Sequence, residues 1–336
     1  MKVLIVRFSS IGDIVLTTPV PRALKVQLDD VEVHYCTKQA FAVLLENNPY
    51  IDQVHTLGDE GLGPLIKRLK QEQYDVVIDL HNNLRTRLLK LRLGVKAYTF
   101  DKINRAKWVM VNFKLNMMPN VHIVDRYMAT VEPLGVKKDN QGLDYFIPHK
   151  DEVETSWLPE THRKEYVVYA IGGNHNTKKL PVKRMIELCD RINKPIILLG
   201  GKEDEATGAE LEAFFERNDT SAPLEPKLFE LNKKAIIFNA CGKLNLNQSA
   251  SVIKQATAVF THDTGMMHVA AALRKRIFSI WGNTIPAFGM YPYKTQFTIF
   301  ENNKLNCRPC SKIGHDKCPK GHFKCMQDVV FDFYLP

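Results

Sequence analysis

Ala258-Val259-Phe260-Thr261-His262 is an apolar, β-type run; Asp263-Thr264-Gly265 breaks it, and Met266-Met267-His268-Val269-Ala270-Ala271-Ala272-Leu273 follows with helix-forming residues. Strand, small acidic turn and immediate helix is the opening of a parallel strand–helix–strand unit. The first N–H groups of such a helix have no intrahelical partner. Those of Thr264, Gly265 and Met266 would therefore form an anion site fit for a phosphate. Gly265 permits close approach, and Asp263 and Thr264 can cap the helix or hold a sugar hydroxyl. The local alternative is capping alone. An aspartic-protease reading fails, because the chain has a single D-T-G and a helix, not a hairpin, follows it.

The same alternation extends outward. In the second half, strands are expected over 166–170, 195–199, 235–239, 258–262 and 276–281, with helices over 182–191, 206–217, 247–255 and 266–273. In the first half, strands are expected over 2–8, 31–35, 53–57 and 74–80. Helical stretches lie between them at 14–28 (kinked by Pro19 and Pro21), 39–47 and 65–71, and a polar, basic stretch covers 81–92. The charged segment 150–164 reads as the link between halves. Two tandem series of this kind predict an α/β chain of two Rossmann-like, doubly wound domains. Ligands of such sheets sit beyond the carboxyl ends of the strands, in a cleft between the halves.

The 336 residues suit two domains, and 45% hydrophobic with 25% charged residues excludes global disorder and fibrous classes. No apolar run is long enough to span a bilayer, and Arg7 interrupts the opening run too early for a signal peptide, so a cytoplasmic protein is expected. A formal net charge of +9 suggests an anionic partner. Nucleic acid is not expected, for want of aromatic–basic interleaving or a binding motif.

Two further stretches place small residues after a strand. Ser9-Ser10-Ile11-Gly12-Asp13 follows the opening strand; it matches neither a dinucleotide fingerprint nor a P-loop. An acid at this helix start would repel phosphate but can serve as a base towards a neutral hydroxyl. Gly172-Gly173, then Lys178-Lys179-Leu180-Pro181, suits a diphosphate that the glycines admit and an ammonium neutralises.

Together these stretches resemble glycosyltransferase family 9, the ADP-heptose:lipopolysaccharide heptosyltransferases. The matching set is residues 3–13, Lys178-Lys179-Leu180-Pro181, Asp263-Thr264-Gly265-Met266-Met267-His268 and Gly282-Asn283-Thr284-Ile285-Pro286, with His122 and Asp125-Arg126-Tyr127 between. The resemblance implies a GT-B fold, an acceptor-binding domain over 1–155, a nucleotide-sugar-binding domain with a Cys-rich tail over 156–336, and inverting transfer. It implies Asp13 as general base. Donor contacts would come from Ser9, Ser10, Gly12, Gly172, Gly173, Lys178, Asp204, Leu244, Asp263, Thr264, Gly265 and His268. The anionic lipopolysaccharide acceptor would meet Arg85, Arg87, Arg105 and His122, with peripheral contact at the inner-membrane surface. Leu180 departs from the family's usual tryptophan, and the end at Pro336 leaves little for a helix crossing back to the first domain. No Asp-x-Asp pair occurs, which points to metal-independent transfer.

Four of the seven cysteines form Cys307-x2-Cys310-x7-Cys318-x6-Cys325. The first pair has zinc-ligand spacing and the second does not, so a thiol cluster is preferred to structural zinc. The competing functions are transfer from another nucleotide sugar, a nucleotide-sugar epimerase or phosphorylase on the same architecture, and a basic, zinc-stapled binding module for nucleic acid or membrane.

Overall fold

The computed structural model describes residues 1–216 and 235–335. Its first unit runs β1 (Lys2–Val6), α1 (Ile11–Val15), α2 (Pro19–Gln27), β2 (Glu32–Lys38), β3 (Gln53–Leu57), α3 (Leu62–Gln71), β4 (Val76–Asp79), α4 (Leu84–Leu93), β5 (Lys96–Thr99), α5 (Asn104–Phe113) and α6 (Ile123–Met128). The second runs β6 (Val167–Ala170), α7 (Val182–Ile192), β7 (Pro195–Leu199), α8 (Glu205–Glu216), β8 (Ile236–Asn239), α9 (Leu246–Gln255), β9 (Ala258–His262), α10 (Gly265–Ala272), β10 (Arg276–Trp281), β11 (Phe297–Glu301) and α11 (Lys324–Gln327). The helix expected over 206–217 is thus α8; Arg217, like Pro336, lies outside the described residues.

Both sheets are parallel, ordered β3-β2-β1-β4-β5 and β11-β10-β9-β6-β7-β8. Chain direction across each sheet reverses between two strands, β1 and β4 in one and β6 and β9 in the other. Loops leaving those strands splay to opposite faces and open a crevice. The strand sequences explain the layering: Val3 and Ile5 face α1 and α2, whereas Leu4 and Val6 face α3 and α4. In the second sheet Val168 and Val259 face α9 and α10, and Tyr169 and Phe260 face α7 and α8. The α1–α2 side and the α9–α10 side share one continuous apolar core, so the two units are packed together there.

One expected helix needed correction. The single kinked helix over 14–28 is two helices, because Pro19 lacks an N–H and takes the first position of α2 instead of continuing α1. The basic stretch 81–92 contains α4, with Asn83 as its N-cap, its side chain accepting from Thr86 N–H at 3.0 Å. The linker region, residues 149–162, forms short 3₁₀ turns tied to the second unit: Asp151 accepts from the Asn245 and Asn247 side chains at 2.9 Å each.

Candidate active site

At the β1–β4 reversal the chain leaves β1 through Arg7, whose side chain is buried. Its guanidinium donates to Ser9 O at 2.8 Å, Leu80 O at 2.6 Å and Tyr127 Oη at 3.2 Å, and Nη2 meets Asp13 Oδ1 at 2.6 Å. Ser10, in extended backbone, is the N-cap of α1, so Asp13 is the third helical residue and its carboxylate folds back. Oδ2 accepts from Ser10 N–H at 3.2 Å and Ser10 Oγ at 2.9 Å. Burial alone pushes this carboxyl up; the Arg7 charge and the Ser10 hydrogen bonds outweigh it and hold the group below the usual carboxylate range. The side chain keeps 21% exposure, so the ionised oxygens remain reachable.

At the β6–β9 reversal the loop after β6 carries Lys178 to the turn after β9. Its Nζ donates to Asp263 Oδ2 at 2.7 Å and Asp263 O at 3.0 Å, leaving one of three N–H groups for an anion. Thr284 Oγ1 also donates to Asp263 Oδ2, at 2.7 Å. Thr264 is the N-cap of α10, in extended backbone. The first amides of α10 therefore face the same space as the ammonium. Gly173 borders it, for a Cβ there would lie 3.3 Å from Thr264 Cγ2.

The two reversals touch. A Cβ on Gly12 would stand 2.6 Å from His268 Cδ2 and 3.2 Å from Gly265 Cα; one on Gly265 would stand 2.9 Å from Ile11 Cβ. The first turns of α1 and α10 thus meet backbone to backbone. His268 is buried between them, and burial pushes its imidazole down to about 4, against the pull of Asp263 and Asp13. It is neutral at pH 7, and its Nδ1 makes no hydrogen bond among the described residues.

Most of the expected residues gather here: Asp13, Ser9, Ser10 and Gly12 on one side, Gly173, Lys178, Asp263, Thr264, Gly265 and His268 on the other. Ser9 and Ser10 serve Arg7 and Asp13 rather than standing free. Asp204 is buried beside Gly172 and turned to Lys179 Nζ at 3.3 Å and Gly201 N–H at 3.1 Å. Leu244 is half-buried in the turn before α9, on the sheet face that carries α10. A separate cleft of about 440 Å³, lined by Leu180, Lys179, Asp204, Thr207 and Phe323, lies on the α7–α8 side.

His122 is not placed to meet an acceptor. It is buried, its Nδ1 accepts from Val124 N–H at 3.2 Å, and Nε2 donates to Tyr291 O at 2.9 Å, so both nitrogens are committed to joining α6 to the second unit. Burial lowers it to about 4. Arg85 and Arg87 are exposed on α4, and Arg105 is exposed on α5. Sequence reading missed Arg7 and Thr284; a lone arginine closing an apolar strand was the available signal for Arg7.

The four tail thiols are free, and Cys307 Sγ lies 3.8 Å from His322 Nε2. Among the described residues, the metal-type side chains that approach within 4.8 Å of one another are His34, His55 and Glu72. They lie far from the strands' carboxyl ends. There Lys2 pairs with Glu72 at 2.9 Å, and Tyr74 Oη meets both imidazoles, at 2.8 and 3.0 Å.

A family model described as glycosyltransferase family 9 (heptosyltransferase) matches residues 63–320. Lipopolysaccharide heptosyltransferase 1 of Campylobacter coli is 24% identical over 311 residues, covering 84% of each chain. Lipooligosaccharide heptosyltransferase 2 of Haemophilus influenzae is 23% identical, covering 100% of this chain and 97% of its own. The fold is shared with the glycosyl transferase family 9 structure from Veillonella parvula (TM-score 0.70, 20% identity, covering 89% of this chain and 85% of that one). It is shared too with ADP-heptose lps heptosyltransferase II of E. coli (TM-score 0.67, 18% identity, 98% of each chain). With two parallel sheets in the GT-B arrangement and a family match that takes in the Lys178–Asp263 cluster, the chain belongs to glycosyltransferase family 9.

Proposed function

We propose that this glycosyltransferase moves a heptose from ADP-heptose to a lipopolysaccharide core acceptor, with inversion at the anomeric carbon. The relatives' names supply the substrate class. The observation that carries the reading is the contact of α1 with α10, which sets an ionised carboxylate beside a site built for a diphosphate.

The acceptor oxygen attacks the anomeric carbon as the bond to the diphosphate breaks and ADP departs with the electron pair. Lys178 and the first amides of α10 stabilise the charge gathering on that leaving group. Asp13 takes the acceptor hydroxyl's proton. A carboxylate held this low is a weak base towards a free hydroxyl, so proton transfer belongs late, once bond formation has made the oxygen acidic. Arg7 keeps Asp13 ionised and aimed.

A lipid-linked acceptor also suggests contact with the cytoplasmic face of the inner membrane. No described helix is long and apolar enough to cross a membrane. Instead α4 and α5 expose Leu84, Leu91, Trp108 and Phe113 beside Arg85, Arg87 and Arg105, the mixture that suits an anionic lipid surface.

The test is transfer from ADP-heptose to a heptose-deficient core acceptor, with ADP binding followed by calorimetry. Asp13→Ala should lower transfer by about 10²–10⁴-fold while ADP affinity stays within a factor of two. Undiminished transfer in that variant would refute the base assignment, and turnover with a different nucleotide sugar alone would refute the donor.

A further inference from the structure

The face of the first sheet that α3 and α4 cover is apolar, built from Leu4, Val6, Cys36 and Val77 against Leu65 and Leu69. Two histidines interrupt it. His34 of β2 pairs in register with Gln53, and Cys36 with His55 of β3, so the two imidazoles are diagonal neighbours on that face. Both are buried, and so is Tyr74 in the turn between α3 and β4. Aliphatic side chains would fill this layer with no polar atoms to satisfy. His34 is near the start of β2 and Tyr74 precedes β4, so the cluster lies towards the strands' amino ends, opposite the reaction cleft.

The donor atoms converge. His34 Nδ1 lies 3.1 Å from His55 Nε2, Tyr74 Oη lies 2.8 Å from the first and 3.0 Å from the second, and Glu72 Oε2 stands 4.0 Å from His34 Nδ1. Ligand atoms about 2.0–2.1 Å from a tetrahedral zinc ion are about 3.3 Å apart, so the triangle has to open by only a few tenths of an ångström. Glu72 is half-buried and can swing in. Glu32 Oε1 accepts from His34 Nε2 at 2.8 Å, which leaves the lone pair of a neutral imidazole on Nδ1, facing the cluster. Metal-bound imidazoles are commonly held by a carboxylate in this way. Burial, then the neighbouring His34, pushes His55 down to about 4 against the pull of Glu72, so its ring is neutral at pH 7. Glu32 and Glu72 share one ammonium, Lys2 Nζ, at 3.1 and 2.9 Å, while Arg68 is committed to Glu60 at 2.8 Å. Two carboxylates on one ammonium leave the balance negative, and Glu72 can keep Lys2 on one oxygen while the other ligates.

We propose that His34 Nδ1, His55 Nε2 and Glu72 bind a divalent cation of the zinc class, with Tyr74 Oη as the fourth donor. Two imidazoles, a carboxylate and a phenol form a nitrogen–oxygen set that suits zinc, whereas calcium and magnesium prefer oxygen alone. The ion joins β2, the edge strand β3 and the α3–β4 turn, and so fastens the outer edge of the first sheet. The site is structural and remote from Asp13, and it is independent of the transferase reading.

Titration of the chelator-treated full chain with zinc, and with cobalt(II) as a spectroscopic substitute, tests the site. Zinc should raise Tm by several degrees at saturation, since it binds the folded chain and not the unfolded one. Glu72→Gln, a near-isosteric change at a half-buried position, should fold as the wild type does and weaken this binding about ten-fold or more. His55→Gln should abolish it. Cobalt at the site should show ligand-field bands that Glu72→Gln removes, without the thiolate charge-transfer absorption that the Cys-rich tail would give. Absence of binding, thiolate absorption alone, or equal affinity in Glu72→Gln and wild type overturns the site and leaves a hydrogen-bonded cluster only.

A second arm reads the ligands directly. In imidazole ¹⁵N spectra, zinc should fix His34 with its proton on Nε2 and His55 with its proton on Nδ1, both on one saturation curve. Unmoved His34 and His55 signals overturn the assignment. Transfer measured well below Tm should be the same, within about two-fold, with and without zinc. A loss of transfer on chelation that zinc restores in wild type and in Glu72→Gln alike would place the needed ion elsewhere and overturn the site's structural role.

Discussion

Gly12→Ala is the smallest change that tests the contact between the two units. The added methyl would lie 2.6 Å from His268 Cδ2 and 3.2 Å from Gly265 Cα. Ordinary carbon contacts are about 3.5–4.0 Å, so α1 and α10 must separate by roughly 1 Å or His268 must leave its place. Neither is easy, because His268 is buried and the other neighbour is backbone. Overpacking of this kind costs about 1–3 kcal/mol, offset by the roughly 0.5–1 kcal/mol that Ala gains over Gly inside a helix. Stability should therefore fall only modestly, by a few degrees in Tm. Activity should fall further, because a misplacement of about 1 Å between reacting groups can cost about 10²-fold. The assays are thermal unfolding and kcat/KM for transfer, with Gly12→Ala/His268→Ala as the relieving double variant for the structural clash. A Gly12→Ala enzyme with kcat within three-fold of wild type would sink the claim that this approach sets the catalytic geometry.

Two more outcomes follow from the same geometry. Replacing Arg7 with Met removes the charge that overrides burial at Asp13, so the carboxyl rises; the base form, lost as pH falls through that value, should then disappear at higher pH, and the acid limb of kcat/KM should move upward. An unmoved acid limb would show that Arg7 does not tune the base. Thr284→Val deletes the hydroxyl that donates to Asp263 Oδ2, and about 0.5–1.5 kcal/mol of donor affinity should go with it, read by ADP calorimetry.

What could be read from the sequence follows from what local physics encodes. The strands β7, β9 and β10 were legible to the residue, because strands buried on both faces carry uninterrupted apolar runs. Edge strands β5 and β11 were not: Lys96–Thr99 is largely exposed and needs no such run. Helix α5 buries nothing and so shows no apolar stripe. The donor turn was legible because strand, turn and helix are contiguous. The support for the base was not, since Arg7 meets Leu80 and Tyr127, 73 and 120 residues away. His122 was misread for the same reason: its partner Tyr291 is 169 residues distant, and nothing local distinguishes a committed imidazole from a free one.

The bonds of Arg7 tie Asp13 to the ends of β1 and β4 and to α6 at once, whereas α4 and α5 meet solvent with few internal ties. Substitutions on those two outer helices can therefore accumulate without disturbing the bonds that hold the Asp13 carboxylate in place. Such a division leaves the outer surface of the first unit open to change while the strand-end geometry is kept.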